Sequence, residues 1–211
     1  MNIDSPQDWI KLIISSAGVS AAINIAWGEW GRYRDKKYSR RNAYLELSNN
    51  IEDYAQSCID NIDLESRILE YSAYNQFIGE NNGKHIYLFD KPRGIEKPDF
   101  RKSVLEKINA DFVSVEDRSD TKETANYIEQ IGKAHQNKVE TKKQELKIHD
   151  NDPSRVFEDI FLINVTSLVL RGRKACDLAI KTRKKSRTKS KSLDEKISTL
   201  NSMSEKYGLT L

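Results

Sequence analysis

Residues 47–64, LSNNIEDYAQSCIDNIDL, decide the fold class. Leu47, Ile51, Tyr54, Cys58 and Ile62 recur at three- and four-residue spacings, so they stack on one face of an α-helix while carboxylates and amides fill the others. A second seam through Leu64, Ile68 and Tyr71 prolongs the pattern towards Phe77 and Ile78. The turn cluster Gly79-Glu-Asn-Asn-Gly83 ends it. Cys58 falls on the seam and reads as a small buried hydrophobe.

Upstream of this helix the charge changes abruptly. Residues 32–41 carry six basic residues and one acid, whereas Leu12 to Gly28, LIISSAGVSAAINIAWG, carry no charge. Seventeen uncharged residues are at the lower limit for a membrane-spanning helix, and extension to 9–31 takes in Lys11 and Glu29 near the ends. Trp9, Trp27, Trp30 and Tyr33 sit at the two edges, as interfacial aromatics do, and Arg32, Arg34, Lys36, Lys37, Arg40 and Arg41 follow. The eight residues before Trp9 hold Asp4 and Asp8 and no base, so the charge bias places the N-terminus outside and the bulk of the chain in the cytoplasm. A cleaved signal peptide carries its positive charge before the apolar run, and an interfacial amphipathic helix has a strongly charged face; this run has neither. A buried soluble helix stays an alternative, because Ser15, Ser16, Ser20 and Asn24 temper the hydrophobicity. Ser16, Ser20 and Asn24 share a face, with Gly18 and Ala22 beside them in small-xxx-small spacing, which suits helix self-association or pairing with another membrane protein. Gly28 and Gly31 are candidate breaks between the span and the following helix.

Downstream, His85 to Phe89 is a short apolar run between turn signals, read as an extended connector or a strand, and Asp99 is placed to cap a short helix through Ile108. Thr121 to Ile148 reads as a charged helix with a thin apolar stripe (Ile128, Ile131, Val139, Leu146), suited to a solvent-exposed arm or a coiled-coil partner. Asp152-Pro153 opens another helix, and the eleven uncharged residues Ile160 to Leu170 mark it as buried on all sides at the centre of a bundle. Residues 181–192, KTRKKSRTKSKS, read as flexible because their composition offers no face to bury. A final short helix is expected near Leu193–Tyr207.

The expected architecture is therefore all-α: an N-terminal transmembrane helix followed by a cytoplasmic helical bundle. Its segments are a short extracytoplasmic N-terminus (1–8), the span (9–31), a basic juxtamembrane collar (32–42), a helical domain (43–180), a basic flexible segment (181–192) and a terminal helix and tail (193–211). Composition agrees with helices: 211 residues, 32% charged and 37% hydrophobic, with nine Gly, four Pro and a mean hydropathy of −0.71. Two cysteines exclude a disulfide framework, and collagen-like and polytopic membrane classes are excluded with it.

The basic collar, the pattern Leu47, then Ile51-Glu-Asp-Tyr-Ala-Gln-Ser-Cys58, and the later Ala175-Cys-Asp-Leu-Ala179, Arg183 and Tyr207-Gly-Leu209 together resemble a loose group of uncharacterised bacterial single-pass membrane-anchored helical proteins. The resemblance covers about a third of the chain. It departs from the group's pattern at Ile51, where leucine is frequent, and in the basic insert between Arg183 and Tyr207. It implies a bacterial or prophage origin and carries over no activity.

The net charge of +3 hides a second basic block, residues 171–191, with ten bases against one acid. Lys181, Arg183, Lys184, Lys185, Arg187, Lys189 and Lys191 are its candidate contacts for an anionic partner. No aromatic residue interrupts it, which argues against base stacking and leaves phosphate attraction, at lipid headgroups or nucleic acid, or a solvated linker. His85, His135 and His149 are scattered, no metal-ligand spacing occurs, and no phosphate-cradling glycine loop or nucleophile elbow is present. No catalytic, cofactor-binding or metal residue is assigned and no cofactor is implied. The expected function is that of a non-enzymatic, self-associating scaffold, sensor or effector at the bacterial inner membrane, with a phage or phage-defence setting. The bilayer and a second copy, or another membrane protein, are its partners. The alternative is a helical module that binds nucleic acid through residues 171–191.

Overall fold

The computed structural model describes the backbone of residues 6–74, 79–81, 84–86, 97–148 and 153–209, and side chains within 20–67, 97–144 and 155–209 apart from residue 22. The chain divides into two compact units, Met1–Asn42 and Ala43–Leu211, each described by itself.

The fold is helical. α1 spans Pro6–Tyr74, α2 Phe100–Ser103, α3 Val115–Ile148, α4 Pro153–Ser186 and α5 Lys191–Lys206. A hairpin of two three-residue strands, β1 (Gly79–Asn81) and β2 (Lys84–Ile86), pairs Glu80 with His85 in antiparallel register; residues 87–96 of the expected connector lie outside the described residues. α1 is unbroken at Gly28 and Gly31, where an added Cβ would meet nothing within 4 Å. The helix runs on through both candidate break points.

In the second unit the seam of α1 is the spine of the core. Leu47, Ile51, Tyr54, Cys58 and Ile62 are all buried, with Ile51, Cys58 and Ile62 at zero exposure. α4 faces them with Phe161, Val165, Val169, Ala175, Cys176 and Ala179, and α5 closes the cluster with Leu193 and Leu200. Gly172 of α4 makes the closest approach: a Cβ there would lie 3.1 Å from both δ-carbons of Leu200 and 3.4 Å from Cβ of Cys58. A residue without a side chain lets α1, α4 and α5 meet at that height without displacing Leu200.

The segment 97–114 plugs the side of this bundle. Asp99 accepts a hydrogen bond from the Lys102 amide and caps α2, as the sequence suggests. Phe100 then packs edge-on to Tyr54, centroids 4.9 Å apart. Arg171 of α4 bridges the two, donating from Nε to the Tyr54 hydroxyl at 2.9 Å and from Nη2 to the Pro98 carbonyl at 2.5 Å. Burial raises the Tyr54 hydroxyl above its ordinary range, so it stays neutral.

Three expectations are corrected. α3 is no free arm: Thr121, Ala125, Ile128 and Val139 are buried, it packs along α4, and Lys142 reaches Asp159 at 3.1 Å. It begins at Val115, six residues before Thr121, because Ser114 caps it, its hydroxyl accepting from the Asp117 amide at 3.2 Å. The run Ile160–Leu170 is not buried all round. Phe161, Val165, Leu168 and Val169 face the core, whereas Leu162 is exposed, because α4 has neighbours on only part of its circumference. Residues 181–192 do bury a face: α4 continues to Ser186, which is fully buried, and Thr182 is buried one turn before it. α5 starts at Lys191, capped by the Ser190 hydroxyl, which accepts from the Leu193 amide at 3.1 Å.

Among the described residues no helix is long and apolar enough to cross a membrane. The structure therefore gives the expected span no support. Ser20, Asn24 and Glu29, all exposed, interrupt the apolar residues of the part whose side chains are described.

Candidate functional site

Two regions hold the residues that the sequence singles out. The first is α1 within residues 1–42. Ser20 and Asn24 of the expected association face are exposed, while the side chains of Trp9, Ser16, Gly18 and Ala22 lie outside the described residues. Ile23, Ile25, Trp27, Trp30, Tyr33 and Tyr38 all stand exposed, Trp27 at 65% and Trp30 at 54%. The two indoles, three residues apart on the helix, meet edge to face with centroids 5.7 Å apart. Arg34 lies over the Trp30 ring at 5.5 Å, and Arg32 pairs with Glu29 at 3.0 Å. Arg32, Arg34, Lys36, Lys37, Arg40 and Arg41 are exposed along the same stretch. The surface is thus apolar and aromatic first, then cationic.

The second region is the C-terminal end of α4 and the start of α5, and here the seven bases expected to act together part ways. Arg183 is turned inward. Its guanidinium holds Glu52 of α1 through Nε at 2.8 Å and Nη2 at 2.7 Å, and reaches Asn49 at 2.6 Å and Thr188 at 3.3 Å. Glu52 also accepts from Ser190 at 2.9 Å and Ser48 at 3.3 Å, so a buried carboxylate has donors on both oxygens.

Lys185 donates to Asp117 of α3, which also accepts from the Tyr44 and Ser114 hydroxyls, each at 2.5 Å. Burial works to raise the Asp117 pKa, but these three donors outweigh it and hold the carboxyl below its ordinary range. The same contact raises Lys185. Lys181 lines an open groove of about 180 Å³ between α3 and α4 together with Asp120, Glu123, Tyr127, Lys174 and Asp177. Lys184, Arg187, Lys189 and Lys191 form a further exposed group around the α4–α5 turn, with Lys191 also 3.9 Å from Glu195.

Sequence reasoning missed both inward ion pairs. Their acids are 131 and 68 residues away, and nothing local announces them. One local signal existed: Leu178, Thr182 and Ser186 continue the α4 seam at four-residue spacing, and small hydroxyl residues extend a buried face as alanines do.

The remaining chemistry-bearing groups are quiet. Cys58 and Cys176 are buried free thiols, and burial pushes them up to about 11 and about 12, away from the reactive thiolate. The His135 ring engages the Ile131 carbonyl of its own helix at 2.8 Å. The α3–α4 groove carries three carboxylates against two ammonium groups, with Lys174 over the Tyr127 ring at 5.1 Å. No group of three metal-ligating side chains occurs among the described residues.

No protein-family model, curated protein or solved structure matches the chain.

Proposed function

We propose that the chain is a non-enzymatic membrane-tethered interaction protein. Residues 9–31 engage the bilayer with the N-terminus outside. The collar at 32–42 meets the headgroups of the inner leaflet. The helical unit from Ala43 is offered to cytoplasmic partners as a scaffold, sensor or effector. One observation carries this reading: Ile23, Ile25, Trp27 and Trp30 stand exposed and run directly into six bases, among which Tyr33 and Tyr38 are exposed as well. Exposed apolar surface of this density marks an interaction site, and the aromatic-then-cationic order matches the chemical gradient from acyl chains to phosphates. Ser20 and Asn24, exposed on the same helix, give the segment polar groups for pairing with a second copy; such contacts contribute about 0.6 kcal/mol on average and up to about 2 kcal/mol. The buried thiols, raised by burial, and the acidic α3–α4 groove, with three carboxylates against two ammonium groups, lend a catalytic reading no support.

The test uses an accident of composition. All three tryptophans, at positions 9, 27 and 30, belong to this segment, so tryptophan emission, excited at the red edge where tyrosine does not absorb, reports on it. Adding phosphatidylcholine vesicles to the full chain should shift emission to the blue and shield it from an aqueous quencher. The bound protein should pellet through high-salt and carbonate washes. Unshifted emission, or release by salt, would remove the bilayer from the mechanism.

A further inference from the structure

We propose that the α4–α5 turn is a second, purely electrostatic contact with the membrane, made by Lys184, Arg187, Lys189 and Lys191 with anionic lipid headgroups. The inference rests on the tethered reading above, and concerns a different part of the chain.

Helix chemistry explains some bases near the end of α4. Arg183, Lys184 and Lys185 stand in its last turn, where cations complement the negative end of the helix dipole. Arg187 and Lys189 have no such local reason, and Lys191 has only a long pair with Glu195 one turn further along α5, at 3.9 Å. Arg187 is the one described residue other than glycine with a positive φ, 55°, in the left-handed conformation that glycine adopts at lower cost when it ends a helix. Lys189 and Lys191 flank Ser190, the cap of α5, and so put two cations at the positive end of that helix dipole. Three cations thus stand where backbone and helix electrostatics disfavour them. Structure held against local preference points to a role outside the fold. Two neighbouring bases are already engaged: Arg183 is turned in on Glu52 and Lys185, at the surface, pairs with Asp117, which anchors the turn to α1 and α3.

Lipid is the occupant favoured here. No aromatic residue lies between Arg171 and Lys191 to stack on a base. The turn also sits beside the first residues of its unit: Lys185 lies over the Tyr44 ring at 5.9 Å, and Arg183 reaches Asn49. A module tethered a few residues before Ala43 meets the bilayer at a high effective concentration, so several weak charge contacts suffice. Each Lys or Arg near an anionic surface changes partitioning by about fivefold.

The test compares the full chain with the variant Lys184→Gln, Arg187→Gly, Lys189→Gln, Lys191→Gln on vesicles of phosphatidylcholine alone and mixed with phosphatidylglycerol. The expected result is equal binding of both proteins to neutral vesicles and a loss of about tenfold or more in the preference for anionic ones, weakening as salt rises. Arg187→Gly alone should lose about fivefold of that preference with an unchanged or higher melting temperature, since glycine relieves the backbone; this separates loss of charge from loss of fold. If neutral vesicles bind neither protein while the anionic preference still depends on these four residues, the span fails and this contact stands. An undiminished anionic preference in the variant, equal loss on both vesicle types, or tighter binding of duplex DNA than of anionic vesicles would overturn the proposal.

Discussion

Arg183 and Glu52, 131 residues apart, form an ion pair with 2.7 and 2.8 Å contacts and side chains only 13% and 6% exposed. The pair ties the end of α4 to α1, and Ser190 on the same carboxylate ties in α5. Glu52→Ala would leave a guanidinium without its charge partner at a dry site, so a loss of about 3 kcal/mol is expected in urea unfolding. Replacing both residues, Glu52→Leu with Arg183→Met, should recover most of it, because the desolvation cost of the charges disappears with them. A double variant no more stable than Glu52→Ala would show that the hydrogen bonds to Asn49 and Ser190 matter more than the charges.

Gly172 sets the spacing of three helices. Gly172→Ala puts a methyl 3.1 Å from the Leu200 δ-carbons, and Leu200 is fully buried, so it has no room to move aside. A loss of about 1–3 kcal/mol is expected, as for other overpacked cores. Leu200→Val removes the δ-carbons that clash. The double variant should therefore lose less than the sum of the two single losses; strict additivity would mean that the clash is relieved elsewhere.

The spine of this fold was legible because it is periodic. Leu47 to Ile62 repeats at helical spacing, and every seam residue is buried in the observed core. The helix opening at Pro153 and the Asp99 cap were legible for the same reason: caps act over three or four residues. What lay hidden was tertiary. The charged sequence of α3 resembles a solvated arm, yet Thr121, Thr124, Ala125, Ile128 and Val139 are buried, and so few residues suffice to hold a helix that packs along α4. The basic run 181–192 was read by composition, which discards the order of Leu178, Thr182 and Ser186. The partners of Arg183 and Lys185 come from α1 and α3, and a single sequence holds no trace of such pairings. Of the candidate contacts, Lys184, Arg187, Lys189 and Lys191 are presented outward, Arg183 is turned inward on Glu52, and Lys185, itself exposed, is paired with Asp117.

Cys58 and Cys176 should behave as core atoms. With their pKa values pushed up to about 11 and about 12 by burial, neither is a thiolate at neutral pH. A thiol-exchange dye should react with neither in the native chain and with both after denaturation. Fast labelling of either in the native protein would mean that the seam between α1 and α4 opens locally.

Asp117 should contribute to the acid limb of the stability profile. Its carboxyl is held below the ordinary range despite the opposing effect of burial, through hydrogen bonds from Lys185, Ser114 and Tyr44. A depressed acid contributes stability above its unfolded pKa of about 3.9 and loses it as pH falls through the lower folded value. Lys185 is raised, so its share is complete below about pH 10.4 and fades as pH rises through the folded value. Between those limits the contact adds no slope. Asp117→Asn should lower the melting temperature at neutral pH and make its decline below about pH 4 shallower, so that the two proteins converge in acid. Lys185→Gln should lower it at neutral pH but keep an acid limb, since Tyr44 and Ser114 still donate to the carboxylate. Parallel acid limbs in wild type and Asp117→Asn would place the acid sensitivity on another carboxylate.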